Sequence, residues 1–413
     1  MTEDNTTPET AHRLDATDPL GSYRDRFVGA ETPLVYFDGN SLGRPVRATA
    51  DRLARFVADD WGGRLIRGWD EQWYEQPLVL GDRLGRVVLG AAPGQTAVGD
   101  STTVLLYKTA RAAVDAQVRA DPARREIVID TDNFPTDRYL AEGIAAERGL
   151  TVRWVEVDPA AGVTADLLAP ALGPQTALVW LSHVAYRSGF VADGPGLTRL
   201  AHEAGALVLW DLSHSVGSVP LALDEWAADL AVGCTYKYLN GGPGSPAFGY
   251  VAARHHALLA QPITGWMGHR DPFLMGPGFH PSPGIRSLLS GTPPITGMLP
   301  MQDMLDLIEE VGMDAIRAKS LRLTGYALEL AQAWLAPLGV TVGSPADEAT
   351  RGGHVTLLHP GMREVTARLW KQDVIPDYRD PHGLRIGLSP LSTSFTEVHQ
   401  GMAAVRDELA GLG

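Results

Sequence analysis

The chain has 413 residues, of which 45% are hydrophobic and 20% are charged, a composition typical of a globular protein with two domains. Its net charge of −14 argues against nucleic acid and membranes as main partners, because a phosphate surface needs a basic face. The single cysteine, Cys234, excludes an intramolecular disulfide and a four-thiolate metal site. The polar start and the lack of a long apolar run predict no signal peptide, no membrane span and a cytoplasmic location.

The N-terminal region predicts an arm followed by a helix. Residues 1 to about 30 are polar, the turn-rich stretch YFDGNSLG covers 36–43, and the amphipathic stretch VRATADRLARFVADDW comes next. We assign residues 1–60 to this N-terminal arm and helix.

From about residue 95 to 260, short apolar stretches alternate with helical patterns. Continuously apolar strands joined by helices indicate a mostly parallel sheet covered on both faces, with the functional edge at the carboxyl ends of the strands. We therefore predict a large α/β domain over residues 61–295. Its predicted strands cover 126–130, 151–157, 176–182, 206–213, 229–235 and 248–253.

The last third of the chain predicts a smaller α+β domain. Residues 261–297 are rich in Gly, Pro and aromatic side chains, which indicates packed loops at a domain boundary. A long helical pattern covers about 296–336 with a break near Gly312, and GGHVTLLH and LRIGLSP are typical of strands before a closing helix. We assign residues 296–413 to this C-terminal domain.

Lys237 is the first candidate for chemistry. It is one of only four lysines and stands in CTYKYLNGGPGSP, between two tyrosines and ahead of a glycine-rich turn. A lysine can lose its proton and act as an amine nucleophile, which an arginine cannot. On this segment alone, a surface lysine on a turn is an equally good interpretation.

Other residues match what pyridoxal phosphate (PLP) needs. Ser101, Thr102 and Thr103 begin a helical pattern and suit a phosphate, although taken alone they favour a plain N-cap. Asp211 follows an apolar strand, where a carboxylate can keep the pyridine nitrogen protonated. His214 follows three residues later and can support that carboxylate or contact the cofactor.

The stretch DNFPTD follows the predicted strand EIVID. It offers Phe134 to stack on a ring and Asp137 as a hydrogen-bond acceptor. Each of these residues is a weak signal alone, but together they form an ordered set at the edge of one parallel sheet. This order favours a PLP site over a structural interpretation.

Several segments resemble the signature segments of kynureninase, in the order of that family, from about residue 30 to the end. The segments are YFDGNSLGRP, WGGRLIRGW, NFPTDRY, HVAYRSG, WDLSHSVGSVPL, CTYKYLNGGPG, GWMGH, GTPPI and LRIGLSPL. The resemblance implies the aspartate-aminotransferase-like fold (PLP fold type I). In this α/β class, a large domain with a mostly parallel, seven-stranded type of sheet carries a smaller α+β C-terminal domain.

The resemblance also implies roles for individual residues. Lys237 would hold PLP as an imine and move the α-proton, and Tyr236 would contact the phosphate and protonate the fragment left after cleavage. Trp266 and Thr292 would reach the cofactor of a partner subunit, which implies a homodimer with active sites at the subunit interface. The implied cofactor-binding residues are Thr102, Thr103, Phe134, Asp137, Ser182, Asp211, His214, Tyr236, Lys237, Trp266 and Thr292.

The implied reaction is the hydrolysis of L-kynurenine to anthranilate and L-alanine by cleavage of the Cβ–Cγ bond. Its pathway stays open between tryptophan catabolism, NAD biosynthesis and secondary metabolism. Arg385 would bind the substrate α-carboxylate, although on its own it is typical of a surface charge. Trp61, Gly291 and Thr292 resemble the bacterial pattern that prefers kynurenine over 3-hydroxykynurenine. His183 and Ser392 depart from the family pattern and leave the substrate fit open.

Two other functions stay open at this point. Another fold type I lyase or aminotransferase acting on a related aryl-amino acid would keep most of these motifs, and a non-catalytic binding protein would keep the fold alone. A metal site is not expected, because the chain has no His-Glu-x-x-His motif and no helical His pair at ligand spacing.

Overall fold

The computed structural model describes residues 5–412, so the first four residues of the predicted arm and the last residue of the predicted C-terminal domain lie outside the described residues. The α-helices are α1 (Pro8–Ala16), α2 (Ala48–Arg55), α3 (Gly62–Arg64), α4 (Gln76–Leu84), α5 (Thr102–Ala120), α6 (Pro135–Arg148), α7 (Ala165–Leu168), α8 (Gly194–Glu203), α9 (Ile295–Val311), α10 (Met313–Leu330), α11 (Met362–Trp370) and α12 (Phe395–Ala410). The strands are β1 (Val35–Tyr36), β2 (Thr96–Val98), β3 (Glu126–Asp130), β4 (Thr151–Val155), β5 (Thr176–Ser182), β6 (Leu207–Asp211), β7 (Leu230–Gly233), β8 (Phe248–Val251), β9 (Thr341–Val342), β10 (His354–Leu358), β11 (Val374–Ile375), β12 (Asp377–Arg379) and β13 (Gly383–Gly387).

A seven-stranded sheet with the order β2-β8-β7-β6-β5-β3-β4 forms the large part of the molecule. The strands from β7 to β4 run parallel, and β8 is antiparallel to both of its neighbours. This order confirms the predicted mostly parallel sheet. The strands β4, β6, β7 and β8 end earlier than predicted. After β6 and β7 the chain stays buried through residues 212–213 and 234–235, so the pattern of buried residues does not mark where these two strands end. The edge strand β2 is not among the predicted strands, since three residues are too few to show a pattern.

Each central strand divides its side chains between two cores. Val128 of β3 packs in the core on one face of the sheet, while its neighbours Ile127 and Ile129 pack in the core on the other face with α5 and α6. Strands buried on both faces need apolar residues at successive positions, as residues 177–181 of β5 show. Each fully buried aliphatic side chain stabilises such a fold by about 1.5–3 kcal/mol.

The C-terminal part contains a four-stranded antiparallel sheet with the order β12-β13-β10-β9. One face, with Val355 and Ile386, packs in a separate core that includes α12. The other face carries His354 and Arg385 towards the large sheet, where Arg385 Nη1 donates to the carbonyl of Tyr186 at 2.6 Å. The two sheets therefore meet through polar side chains.

The N-terminal segment joins both parts. Phe37 packs in the core of the C-terminal part, whereas Phe56 packs in the core of the large part. Helix α9 also shares the large core, through Met298 and Leu305, although the sequence assigns it to the C-terminal domain. Gly312, with a positive φ of 83°, separates α9 from α10 and confirms the predicted break. The division into residues 1–60, 61–295 and 296–413 stays a prediction.

Among the described residues, the helices are all too short or too polar to cross a bilayer.

Candidate active site

A cavity of about 240 Å³ opens at the carboxyl edge of the large sheet. It brings together eight of the residues predicted to bind the cofactor, from the ends of three strands and the starts of two helices. Its lining also contains hydroxyl groups that the sequence interpretation did not single out, on Thr136, Ser213 and Ser245. The lining residues are Ser101, Thr102, Thr103, Leu106, Phe134, Thr136, Asp137, Asp211, Ser213, His214, Tyr236, Lys237, Ser245 and Ala247.

Lys237 projects into this cavity from the turn after β7. Its side chain is buried, and its Nζ lies 3.2 Å from His214 Nε2 and 5.8 Å from the centroid of the Phe134 ring. Burial lowers the pKa of the Lys237 amine below its usual value, and the nearby charge of Arg385 lowers it further. The Lys237 amine is therefore uncharged and nucleophilic more often than the amine of a surface lysine.

The N-terminal segment holds the turn that carries Lys237. The amide of Gly43 donates to the carbonyl of Tyr236 at 3.0 Å, and Asn240 Nδ2 donates to the carbonyl of Arg44 at 2.7 Å. A Cβ on Gly43 would lie 2.4 Å from the carbonyl oxygen of Lys237. Glycine is therefore required where the YFDGNSLG stretch passes this turn.

Two carboxyl groups, those of Asp211 and Asp137, are buried at the cavity, and the charge of Asp211 acts on Asp137. Asp211 ends β6 and accepts the amide of Ser213 at 2.8 Å. Asp137 lies in the first turn of α6 and accepts from Trp180 Nε1 at 3.1 Å, while its Oδ1 has no hydrogen-bond partner within residues 5–412. Burial raises the pKa of both carboxyls, and the Asp211 charge raises that of Asp137 further. Such a pair stabilises a cationic nitrogen placed beside it.

The first turn of α5 forms another wall of the cavity. Ser101 caps this helix by accepting the amide of Val104 at 3.4 Å, and Thr102 and Thr103 follow it. The exposed amides and partial positive charge of a helix start, with hydroxyl groups beside them, suit a phosphate. Both ends of a pyridoxal phosphate molecule thus find complementary groups in one cavity.

Phe134 is fixed in place by a turn before α6. Its amide donates to Asn133 Oδ1 at 2.8 Å, and its ring meets the Tyr186 ring edge to face with centroids 5.4 Å apart. Ser182 Oγ donates to the same Asn133 oxygen at 2.8 Å. Ser182 lies beside Asp211 in the sheet but is not part of the cavity lining. In this structure it supports the turn below Phe134.

Arg385 lies beyond the wall of the cavity. It is buried on β13 and donates to Asp377, Ser41 and the carbonyl of Tyr186. The His354 ring lies near it and packs against the His214 ring, with centroids 5.7 Å apart. The positive charge of Arg385 lowers the pKa of His214, after the larger effects of burial and of Lys237, and it also lowers the pKa of Lys237.

The remaining predicted residues lie on the surface of the chain. Trp61 is 55% exposed, and Gly291 and Thr292 are also exposed. Trp266 is half-buried and packs against Phe273, with ring centroids 6.1 Å apart. In the described part of a single chain, none of these four residues lines the cavity.

Sequence interpretation missed the groups that support the site. Asn133 and Tyr186 belong to the segments NFPTDRY and HVAYRSG, so the sequence could have predicted that they lie beside Phe134. Asp377 and His354 follow no strand of the large sheet, and no local pattern connects them with Lys237. The described residues also include no group of acidic, His or Cys side chains able to hold a metal ion.

Two family models match the chain. The Aminotransferase class-V model matches residues 108–360, and the Kynureninase C-terminal domain model matches residues 316–405. Kynureninases of Burkholderia pseudomallei and Pseudomonas fluorescens are each 43% identical to the chain, the first over 98% of this chain and 95% of that protein, the second over 95% and 93%.

The chain belongs to the kynureninase family. A solved structure of a C-DES variant, with glycine covalently linked to its PLP cofactor, has a TM-score of 0.82 to this chain at 19% identity and covers 93% of this chain and 99% of that one. At that identity the likeness concerns the fold alone. Membership of the kynureninase family confirms the predicted family, the fold class, the enzyme class and the dependence on PLP.

Proposed function

We propose that the chain hydrolyses L-kynurenine to anthranilate and L-alanine at this cavity. The observation that supports this most strongly is the buried Lys237 Nζ, 3.2 Å from His214, in a cavity that also contains Asp211 and Asp137. The 43% identity with kynureninases over nearly the whole chain directs the choice of substrate. We place the reaction in the cytoplasm, where a chain whose only cysteine is free and buried is stable without disulfides.

The residues of the cavity fit PLP. Lys237 would hold its aldehyde carbon, Asp211 and Asp137 its ring nitrogen, and Phe134 one face of its ring. Asp137 Oδ1, which has no hydrogen-bond partner among the described residues, and the first turn of α5 are the features that such a group would satisfy. When bound, PLP supplies an electron sink for bonds broken at the amino-acid carbons.

Lys237 is suited to move the α-proton of the substrate. A lysine with its ordinary pKa is charged at neutral pH and cannot accept a proton. Burial and the charge of Arg385 lower the pKa of Lys237, so a larger fraction is neutral. His214, whose pKa burial holds well below its usual value, stays neutral beside it and accepts or donates a hydrogen bond without adding charge.

Tyr236 is suited to donate a proton. Burial raises the pKa of its phenol well above the usual value, and the charges of Cys234 and Asp211 raise it further. Tyr236 therefore keeps its proton at neutral pH, which a general acid must do before it acts. We assign it to the protonation of the three-carbon fragment left after anthranilate departs.

Arg385 is assigned to the substrate α-carboxylate. Its planar guanidinium matches a carboxylate better than a lysine would, and its burial strengthens a charged hydrogen bond. With Arg385 in this role, the carboxylate would lie on the side of the C-terminal sheet, near His354 and His214. The aryl ketone of the substrate would then extend towards the surface loops of the site.

We propose that a second copy of the chain completes the site. Two segments meet where the Tyr74 and Phe273 rings approach to 6.1 Å, and the second segment exposes the apolar side chains Leu274 and Met275, which are 63% and 77% exposed. These two residues and Phe273 are the apolar face. Exposed apolar clusters of this kind mark interfaces, so we assign the face to the homodimer. Trp266 contacts Phe273 and would enter the partner's cavity.

We also propose a preference for L-kynurenine over 3-hydroxykynurenine, based on Trp61, Gly291 and Thr292. The test is turnover of both compounds by purified protein loaded with PLP, followed through the fluorescence of the released anthranilate or 3-hydroxyanthranilate. Higher kcat/KM for L-kynurenine supports the proposal, and the reverse order contradicts the preference. Transamination or β-elimination without anthranilate release would instead favour the alternative of a related aryl-amino-acid lyase or aminotransferase.

A further inference from the structure

Arg385 is surrounded by hydrogen-bond acceptors. Its side chain is 1% exposed. Its Nε donates to Asp377 Oδ2 at 2.9 Å, and its Nη2 also pairs with that carboxylate. Its Nη1 donates to the carbonyl of Tyr186 at 2.6 Å, and Nη2 donates to Ser41 Oγ at 3.1 Å. Every nitrogen of the guanidinium therefore already has a partner within the chain.

Asp377 is shared between two arginines. It lies on β12 directly opposite Arg385 on β13, and its Oδ2 is 3.0 Å from Nη2 of Arg379. The Arg379 side chain is 39% exposed, so one arginine of the pair is buried and the other reaches solvent. These three side chains carry one net positive charge, which complements a single carboxylate.

Asp38 is a further carboxyl group whose charge acts on this cluster. Burial raises the pKa of Asp38 to about 6, and the charge of Asp377 contributes to the rise. Its Oδ1 is buried and has no hydrogen-bond partner in the described part of the chain. Below its pKa of about 6, Asp38 is protonated and leaves the net positive charge of the cluster intact, whereas above that pH its ionised form cancels this charge.

We propose that Asp377 is a positioning residue that competes with the substrate carboxylate for Arg385, and that it thereby sets how tightly this site holds a carboxylate. The proposal rests on the proposed function, in which Arg385 binds the α-carboxylate. A carboxylate binds best through two parallel hydrogen bonds from one edge of a guanidinium, and Asp377 occupies the Nε–Nη2 edge. When the substrate weakens the contact between Asp377 and Arg385, Asp377 keeps a second cationic partner, Arg379.

The test separates carboxylate binding from catalysis. The PLP-loaded enzyme is titrated by calorimetry with the desamino analogue of kynurenine, which has no α-amine to react, and with the carboxamide of that analogue. The ratio of the two dissociation constants reports recognition of the carboxylate alone. In D377N, the amide oxygen still accepts from Arg385 but the negative charge is absent. We expect the carboxylate to bind about tenfold more tightly and the carboxamide to be unaffected.

Steady-state kinetics give a second readout. Because the change acts on binding, D377N should lower the KM for L-kynurenine and change kcat little. Asp380→Asn is the matched control: Asp380 follows β12 and pairs with Arg363, but the two side chains are 75% and 68% exposed. We expect D380N to leave the ratio of dissociation constants unchanged. A folded D377N enzyme that binds the carboxylate equally or more weakly would overturn the proposal.

Two other variants keep the outcomes distinct. If Arg385→Gln leaves the carboxylate-to-carboxamide ratio unchanged, the assignment of Arg385 in the proposed function fails, whatever D377N does. If D377N does not fold, Arg379→Gln tests the same competition, because Asp377 loses its second partner and stays with Arg385. We expect carboxylate binding in R379Q to weaken about threefold, and an unchanged ratio would contradict the proposal.

Discussion

The cofactor cavity and the apolar face differ in how far one chain completes them. The cavity is built from buried groups at the ends of neighbouring strands, and its charged side chains contact or influence one another within a single chain. The apolar face is exposed, and within the described residues neither this face nor Trp266, Trp61 and Thr292 line the cofactor cavity. The parallel sheet thus gathers the candidate catalytic groups within one chain, whereas the residues that we propose for substrate specificity lie on surface segments, which we propose that a second copy completes.

The largest effect is expected from removing the reactive amine. Lys237→Ala should reduce turnover about 10⁴-fold, because it removes both the attachment point of the cofactor and the proton acceptor. The measurement is anthranilate formation together with the visible absorbance of the purified protein. Lys371→Ala is the control, since that lysine is exposed. Substantial anthranilate formation by K237A would break the assignment of the cavity as the active site.

A smaller but still large loss is expected from removing the carboxylate at the end of β6. Asp211→Ala should lower kcat about a hundredfold or more, because a cationic ring nitrogen would lose its buried partner. Asp224→Ala, which removes a carboxylate that accepts from Tyr250 on the other side of the sheet, is the comparison variant. Equal activity losses in D211A and D224A, with both proteins folded, would show that the effect comes from the fold rather than from the cavity.

The apolar face gives the next effect. Leu274→Glu places a charge in the proposed dimer interface, and we expect dissociation and a fall in kcat/KM of at least tenfold. Sedimentation equilibrium and activity are measured at the same protein concentrations. Leu167→Glu, at a position that is 41% exposed on α7, controls for the added charge. A monomeric L274E protein with full activity would show that one chain completes the site after all.

The smallest effect concerns Asp38 beside Arg385. Because its pKa is about 6 in the fold and lower in the unfolded chain, the folded state binds more protons between these two values. Its ionisation therefore lowers stability as pH rises through 4 to 6, and the loss persists above pH 6. Asp38→Asn should raise the free energy of unfolding by about 1 kcal/mol at pH 8 and leave it unchanged near pH 4. Urea unfolding at both pH values checks this, and equal differences at the two values would exclude the mechanism.

The residues of the cavity can be predicted from the sequence more fully than the residues that support them. Phe134, Asp211 and Lys237 each come just after an apolar strand, and parallel strands bring their carboxyl ends to one edge, so local pattern and topology point to the same place. Asp377 and Arg385 are brought together by pairing between β12 and β13, in a hairpin that no apolar period distinguishes. The support of Asn133 by Ser182 is likewise a contact between distant segments. Such contacts follow from tertiary packing and carry no local signal.

Trapping the cofactor tests the central claim most directly. The PLP-loaded protein is reduced with borohydride, digested, and its peptides are measured by mass spectrometry. We expect the mass of the reduced cofactor on the peptide that contains Lys237, and no label in K237A. Label on Lys108, Lys319 or Lys371 in place of Lys237 would contradict the assignment of this cavity.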